Sequence, residues 1–175
     1  MSVSVIGELL PHRARLSPDV EAVVSPTKRM TYREYNGIVN KLAHYLLQLQ
    51  VQKGDRVALI CKNSHYFPII YMAAAKIGAV TVPINWRLKT DGIRYILEDC
   101  TPKVLFYDGE FDQVAPLLGT LPFLQQEIRM DIEEDDSFLE ELVKGYPDEE
   151  PQVDVIGEDP AVIIYTSARK TAWGK

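Results

Sequence analysis

Asp159-Pro160-Ala161-Val162-Ile163-Ile164-Tyr165-Thr166-Ser167 is the stretch that decides how this chain is read. Residues 161–165 are apolar and follow one another without a charge. Pro160 pushes Asp159 out of the α region, so no helix enters the run. A short uncharged run of this kind predicts a strand buried on both faces, as inside a parallel sheet. Thr166 and Ser167 follow at once. A buried strand that ends in small hydroxyls, with a flexible loop after it, is a common way to hold phosphates at a sheet edge. The loop here departs from that pattern, because residues 168–173 contain no glycine.

Upstream, the surest local signal is Thr31-Tyr32-Arg33-Glu34. It is a capping box, in which the Thr31 hydroxyl takes the third amide and Glu34 reaches back. Tyr35, Ile38, Val39, Leu42, Ala43, Leu46 and Leu47 then repeat at the spacing of one helical face. Gly54 with Asp55 is expected to close that helix. Residues 55–61 predict a strand. Asn63-Ser64 is expected to cap a helix whose face is Phe67, Ile70, Tyr71, Ala74 and Ile77, ending at Gly78. Pro68 falls in its first turn, where proline is tolerated. Residues 79–83 predict a short buried strand, and residues 85–89 a loop. Thr90-Asp91 opens a helix through Ile93, Ile96, Leu97 and Cys100, followed by a strand at 103–107. Alternation of strand and helix at short connections predicts a mostly parallel sheet with helices on its faces.

The flanks are less regular. Residues 5–16 predict a short helix broken near Pro11 or resuming after it. Residues 21–25 and 29–32 predict a hairpin about Pro26-Thr27-Lys28. Residues 111–121 are weakly helical, and residues 127–130 predict an edge strand. Ser137 with Glu140 forms a second capping-box pattern. Residues 146–157 contain Pro147 and Pro151 and predict a loop.

With 175 residues, 46% of them hydrophobic, the chain holds enough apolar material for a core and is one domain or a large part of one. The net charge of −6 is unevenly spread. Residues 131–159 carry thirteen acids against Lys144 alone, a stretch that would repel a nucleic-acid backbone. It reads as a solvated surface segment or as a patch for a partner. Cys61 and Cys100 show no metal or redox spacing and predict buried free thiols in a reducing cytosol. His12, His44 and His65 are scattered, so no metal ligands are named. No signal peptide and no membrane-spanning run are expected.

The blocks TYREYNGIVNKLAHYL, GDRVALICKNS, AAAKIGAVTVPINWRL, IRYILEDCTPKVLFYD and EDPAVIIYTS stand in order between about residues 30 and 167. Together they resemble the early blocks of the adenylate-forming enzymes, the acyl-CoA synthetase family. Its signature reads YTSGTTGxPKG. Tyr165, Thr166 and Ser167 match it, whereas Ala168 and Thr171 stand where glycines belong.

The resemblance implies an α/β fold, part of the N-terminal domain of such an enzyme, over residues 1–167, with residues 168–175 a tail outside the pattern. It implies ATP, magnesium and coenzyme A for the full-length enzyme, with a carboxylic acid, by expectation a fatty acid, as substrate. PINWRL favours an acyl-CoA ligase over a peptide-synthetase module. Thr166 and Ser167 are the cofactor-binding positions carried over, as donors to ATP phosphates. Read without the resemblance, they are an ordinary strand end. Arg169, Lys170 and Lys175 could act only as point charges, since backbone amides without glycines cannot wrap an anion. No catalytic residue is named. Asn85 and Trp86 are read as turn and packing residues. A cytoplasmic fragment, inactive alone and free of bound cofactor, is expected, with homodimerisation through its truncation surface. The other reading is a non-catalytic partner-binding module with a decayed phosphate loop.

Overall fold

The computed structural model describes residues 5–130 and 137–166. The parallel sheet follows from three uncharged runs, residues 57–60, 80–83 and 104–107. β3 (Arg56–Ile60), β4 (Val80–Pro83) and β5 (Val104–Asp108) are almost wholly buried. β6 (Gln126–Met130) joins them at the edge, giving the order β4-β3-β5-β6, with every pairing parallel. On β6, Ile128 and Met130 turn inward while Gln126, Glu127 and Arg129 face out. A charged edge of that kind resists pairing with another chain.

Helices cover both faces. α1 (Ile6–Leu16), α2 (Tyr32–Gln48) and α3 (Tyr66–Lys76) pack on one side, against Val57, Leu59, Val104 and Phe106. α4 (Thr90–Cys100), a 3₁₀ turn at Gly109–Val114 and α5 (Ala115–Leu118) cover the other, against Ala58, Ile60, Leu105 and Tyr107. Burying uncharged strands on both faces this way requires helices on both sides. Ile93, Ile96, Leu97 and Cys100 are the buried face of α4, as their spacing predicts. The capping box at Thr31 forms: its hydroxyl accepts from the Glu34 amide at 3.3 Å, and Glu34 accepts from the Thr31 amide at 2.8 Å. The hairpin forms as β1 (Glu21–Val24) and β2 (Arg29–Thr31). α6 (Phe138–Leu142) lies over α2.

Several expectations need correction. The chain is not a buried strand over 161–165. It makes one parallel bridge, Val162 to Thr81, and Val162, Ile163 and Ile164 stay 38%, 37% and 66% exposed. It has β4 as neighbour on one side and no element over its outer side among the described residues. α1 is not broken at Pro11 but runs through it. α1 sits so close to α3 that a Cβ on Gly7 would come within 2.9 Å of the Lys76 Cα. That contact holds the first turn in place despite the missing proline amide. α2 ends at Gln48, where Gln50 takes a left-handed φ of 60°, rather than at Gly54. α3 starts from His65, not from Asn63-Ser64, and its buried face is Tyr66, Ile69, Ile70, Ala73 and Ala74. Its end is as expected, with Gly78 at φ 69°. The second capping box does not form. Ser137 makes no side-chain cap bond, and Glu140 pairs with Lys28 at 2.6 Å instead.

Candidate functional site at the carboxyl edge of the sheet

Because every pairing is parallel, the strands deliver their carboxyl ends to one edge, where ligands sit in open α/β sheets. Cys61, Pro83 and Asp108 mark that edge. Residues 161–163 are tied to β4 by two backbone bonds. The Thr81 amide donates to the Ala161 carbonyl at 3.0 Å, and the Ile163 amide donates to the Thr81 carbonyl at 2.9 Å. The bridge is parallel, so the segment runs with β4 and brings Thr166 out at the same edge. Thr166 is exposed there. Ser167 lies outside the described residues, as do residues 168–175, so of the two predicted cofactor-binding positions the structure describes one.

An aromatic and cationic group shares this edge. The Arg87 guanidinium lies 4.6 Å and the Lys62 ammonium 5.6 Å from the Trp86 ring centroid, distances at which cations are drawn to a ring face. Trp86 leans towards Phe111 at 6.5 Å, and Lys62 pairs with Glu110 at 2.5 Å. The Asn85 side chain accepts from the Arg87 amide at 3.0 Å, a local turn bond. Packing and turn roles for Trp86 and Asn85 fit these contacts, but the cations around the ring escaped the sequence reading. Burial pushes the Cys61 thiol up to about 12, so it is protonated and inert as a nucleophile at neutral pH. Among the described residues no group of three or more His, Cys, Asp or Glu could hold a metal ion. None of their helices is long and apolar enough to cross a membrane.

At the amino edge lies a second polar cluster, which the sequence reading missed. Lys76 ends α3, and its side chain is 2% exposed. Its ammonium donates to Asn36 Oδ1 at 2.8 Å, to Asn40 Oδ1 at 2.6 Å and to Glu150 Oε2. Asn36 and Asn40 in turn donate to Glu150 Oε1 at 2.7 and 3.1 Å, and Asn40 also donates to the Asp148 carbonyl at 2.7 Å. Burial raises the Glu150 carboxyl, but the bonds from Lys76, Asn36 and Asn40 outweigh it and hold the group below the ordinary range. His44 Nε2 lies 3.1 Å from the Glu149 carbonyl, and Tyr146 donates to Gln48. Asn36, Asn40, His44 and Gln48 recur every four residues, so one stripe of α2 receives residues 146–150. A cleft of about 450 Å³ beside this cluster is lined by α1 and by Pro151, Val153 and Val155. Every proton of Lys76 is used within the cluster, so it reads as a structural lock.

Comparison with known proteins identifies the family. The family described as AMP-binding enzyme matches residues 10–168. The chain therefore belongs to that family, the adenylate-forming acyl-CoA ligases, and the fold is the front of their N-terminal domain. A long-chain-fatty-acid–CoA ligase of Mycobacterium tuberculosis is 37% identical over 164 residues, which is 93% of this chain and 32% of that protein. A fatty acid–[acyl-carrier-protein] ligase of Streptomyces coeruleorubidus is 32% identical over 155 residues, 88% of this chain and 29% of that protein. The inhibitor-bound N-terminal domain of FACL13 from Mycobacterium tuberculosis superposes with a TM-score of 0.86 at 35% identity, covering 98% of this chain and 43% of that one. The chain spans about a third of the length of the curated relatives it matches.

Proposed function

We propose that this chain is the front part of an ATP-dependent, AMP-forming ligase. The complete enzyme would join a carboxylic acid, in our reading a fatty acid, to AMP with release of pyrophosphate. It would then pass the acyl group to coenzyme A. The observation that carries this reading is the position of Thr166. It follows the signature tyrosine on a segment parallel to β4 and emerges, exposed, at the carboxyl edge. A hydroxyl there suits donation to a phosphate oxygen. Thr166 and Ser167 take that role in our assignment, residues 1–167 form the family part, and residues 168–175 lie outside its pattern. ATP, magnesium and coenzyme A serve the longer enzyme, which we place in the cytoplasm. This chain alone makes no adenylate, because the loop positions that need glycine hold Ala168 and Thr171.

The exposure of Val162, Ile163 and Ile164 favours a second reading, a non-catalytic module whose open edge meets a partner. In the absence of another partner we expect that edge to pair two copies of the chain, with a mass by light scattering that rises with concentration. The test of the main reading is pyrophosphate release. The isolated chain should release none in response to a fatty acid. A chimera carrying residues 1–167 in place of the matching third of the Mycobacterium ligase should release it, and Thr166→Ala with Ser167→Ala should slow that release at least about tenfold. A folded but silent chimera would remove the ligase assignment.

A further inference from the structure

The segment 161–166 is held at two places that differ in kind. Its front is bound by the backbone bonds to Thr81. Its end is bound by a side chain: the Tyr165 hydroxyl donates to Asp99 Oδ2, in the last turn of α4, at 2.5 Å. The Tyr165 ring packs against the second core cluster, beside α4. Between these anchors Val162, Ile163 and Ile164 stay exposed, and Thr166 just beyond is exposed as well. Nothing else among the described residues gives Thr166 a fixed place. Burial, and after it the Asp99 carboxylate, push the Tyr165 phenol up, so the hydroxyl remains protonated and able to donate.

We propose that Tyr165 and Asp99 form a positioning clamp that fixes where the chain leaves the sheet, and so where Thr166 presents its hydroxyl. The inference rests on the assignment of Thr166 to ATP phosphate. The clamp joins two elements that are 66 residues apart in sequence. It ties the exit point to α4, a helix packed through Ile93, Ile96 and Leu97 on the sheet face opposite α2. Tyr165 and Asp99 are thus positioning residues, acting on Thr166 through the backbone. A segment held by two backbone bonds alone opens locally far more often than one with its end pinned, and amide exchange reads such openings.

The experiment is residue-resolved hydrogen exchange on the whole chain, comparing the parent with Tyr165→Phe, Asp99→Ala (which leaves the Tyr165 hydroxyl no acceptor at that position) and the double variant. The amides of Thr81 and Ile163 report the segment, and those of β3 serve as the reference. Each single change should speed exchange at both reporters about fivefold. The double variant should be no faster than either single, because both remove the same bond. The β3 amides should stay at the parent rate. Unchanged reporters in the single variants would overturn the clamp, and so would a double variant equal to the product of the two singles. No nucleotide enters this measurement. A silent pyrophosphate chimera therefore removes the phosphate assignment without touching the clamp, and unchanged exchange does the reverse.

Discussion

Residues 146–159 and residues 160–166 run one after the other along the same domain, yet their chemistry and their placement are crossed. The first segment is acidic and proline-bearing, and although Ile156 is 48% exposed, side-chain and ion-pair bonds tie it down. Glu150 joins Lys76, Asp159 pairs with Lys53 at 2.6 Å, and the α2 stripe grips residues 146–150. The second is the least charged run in the region, and three of its side chains face out. Hydrophobicity says what a segment gains by burial, while the geometry of its neighbours decides whether burial occurs. The acids meet Lys76 at the end of α3 and Lys53 in the turn before β3, whereas the apolar run meets β4 and, through Tyr165 only, α4.

The sharpest way to break this contrast is to remove the lock. Lys76→Ala leaves the Asn36 and Asn40 carbonyls and Glu150 without their shared donor. It should cost about 3 kcal/mol, short of the full penalty for a dry pair because Glu150 keeps 40% of its side chain exposed. Urea unfolding should show a lower midpoint at an unchanged slope.

A smaller effect concerns pH. Glu150 has a folded pKa below its ordinary value. Its contribution is therefore present above the unfolded carboxyl value of about 4.3 and is lost as pH falls through the folded one. Glu150→Gln should cost about 1 kcal/mol at pH 7, after allowing for its solvent exposure. The variant should also lose less stability than the parent between pH 5 and pH 3, roughly the window set by that value. An identical acid slope in both proteins would detach Glu150 from the lock.

The smallest change in stability belongs to the open edge. Ile164→Lys should alter folding by less than about 0.5 kcal/mol, since the side chain is 66% exposed. The same change should hold the mass at one chain at concentrations where the parent associates. A large loss of stability instead would mean that the residue is packed.

Much of this could be read from the sequence. Three of the four sheet strands stand out as uncharged runs between capped or glycine-ended helices, and β6 shows the charges of an edge. Ile93, Ile96, Leu97 and Cys100 gave the face of α4 by spacing alone. The lock was harder. Asn36, Asn40, His44 and Gln48 are visible at intervals of four, but nothing local says that their partners lie about 100 residues away. Lys76 reads as an ordinary cation ending a helix; its burial comes from the close approach of α1 at Gly7. At the carboxyl edge, the signature marks Thr166, whose phosphate role is our proposal. The cations around Trp86 were not, because Lys62 and Arg87 follow different strands.

The most direct measurement compares the two segments with one protease. Thermolysin cuts before branched apolar residues, and each segment offers three: Val153, Val155 and Ile156 in the acidic one, Val162, Ile163 and Ile164 in the other. Digestion at a concentration where the chain is monomeric, followed by mass spectrometry, should show cuts at 162–164 first, with 153–156 intact until the domain unfolds. Early cutting at 153–156 with 162–164 protected would contradict the account.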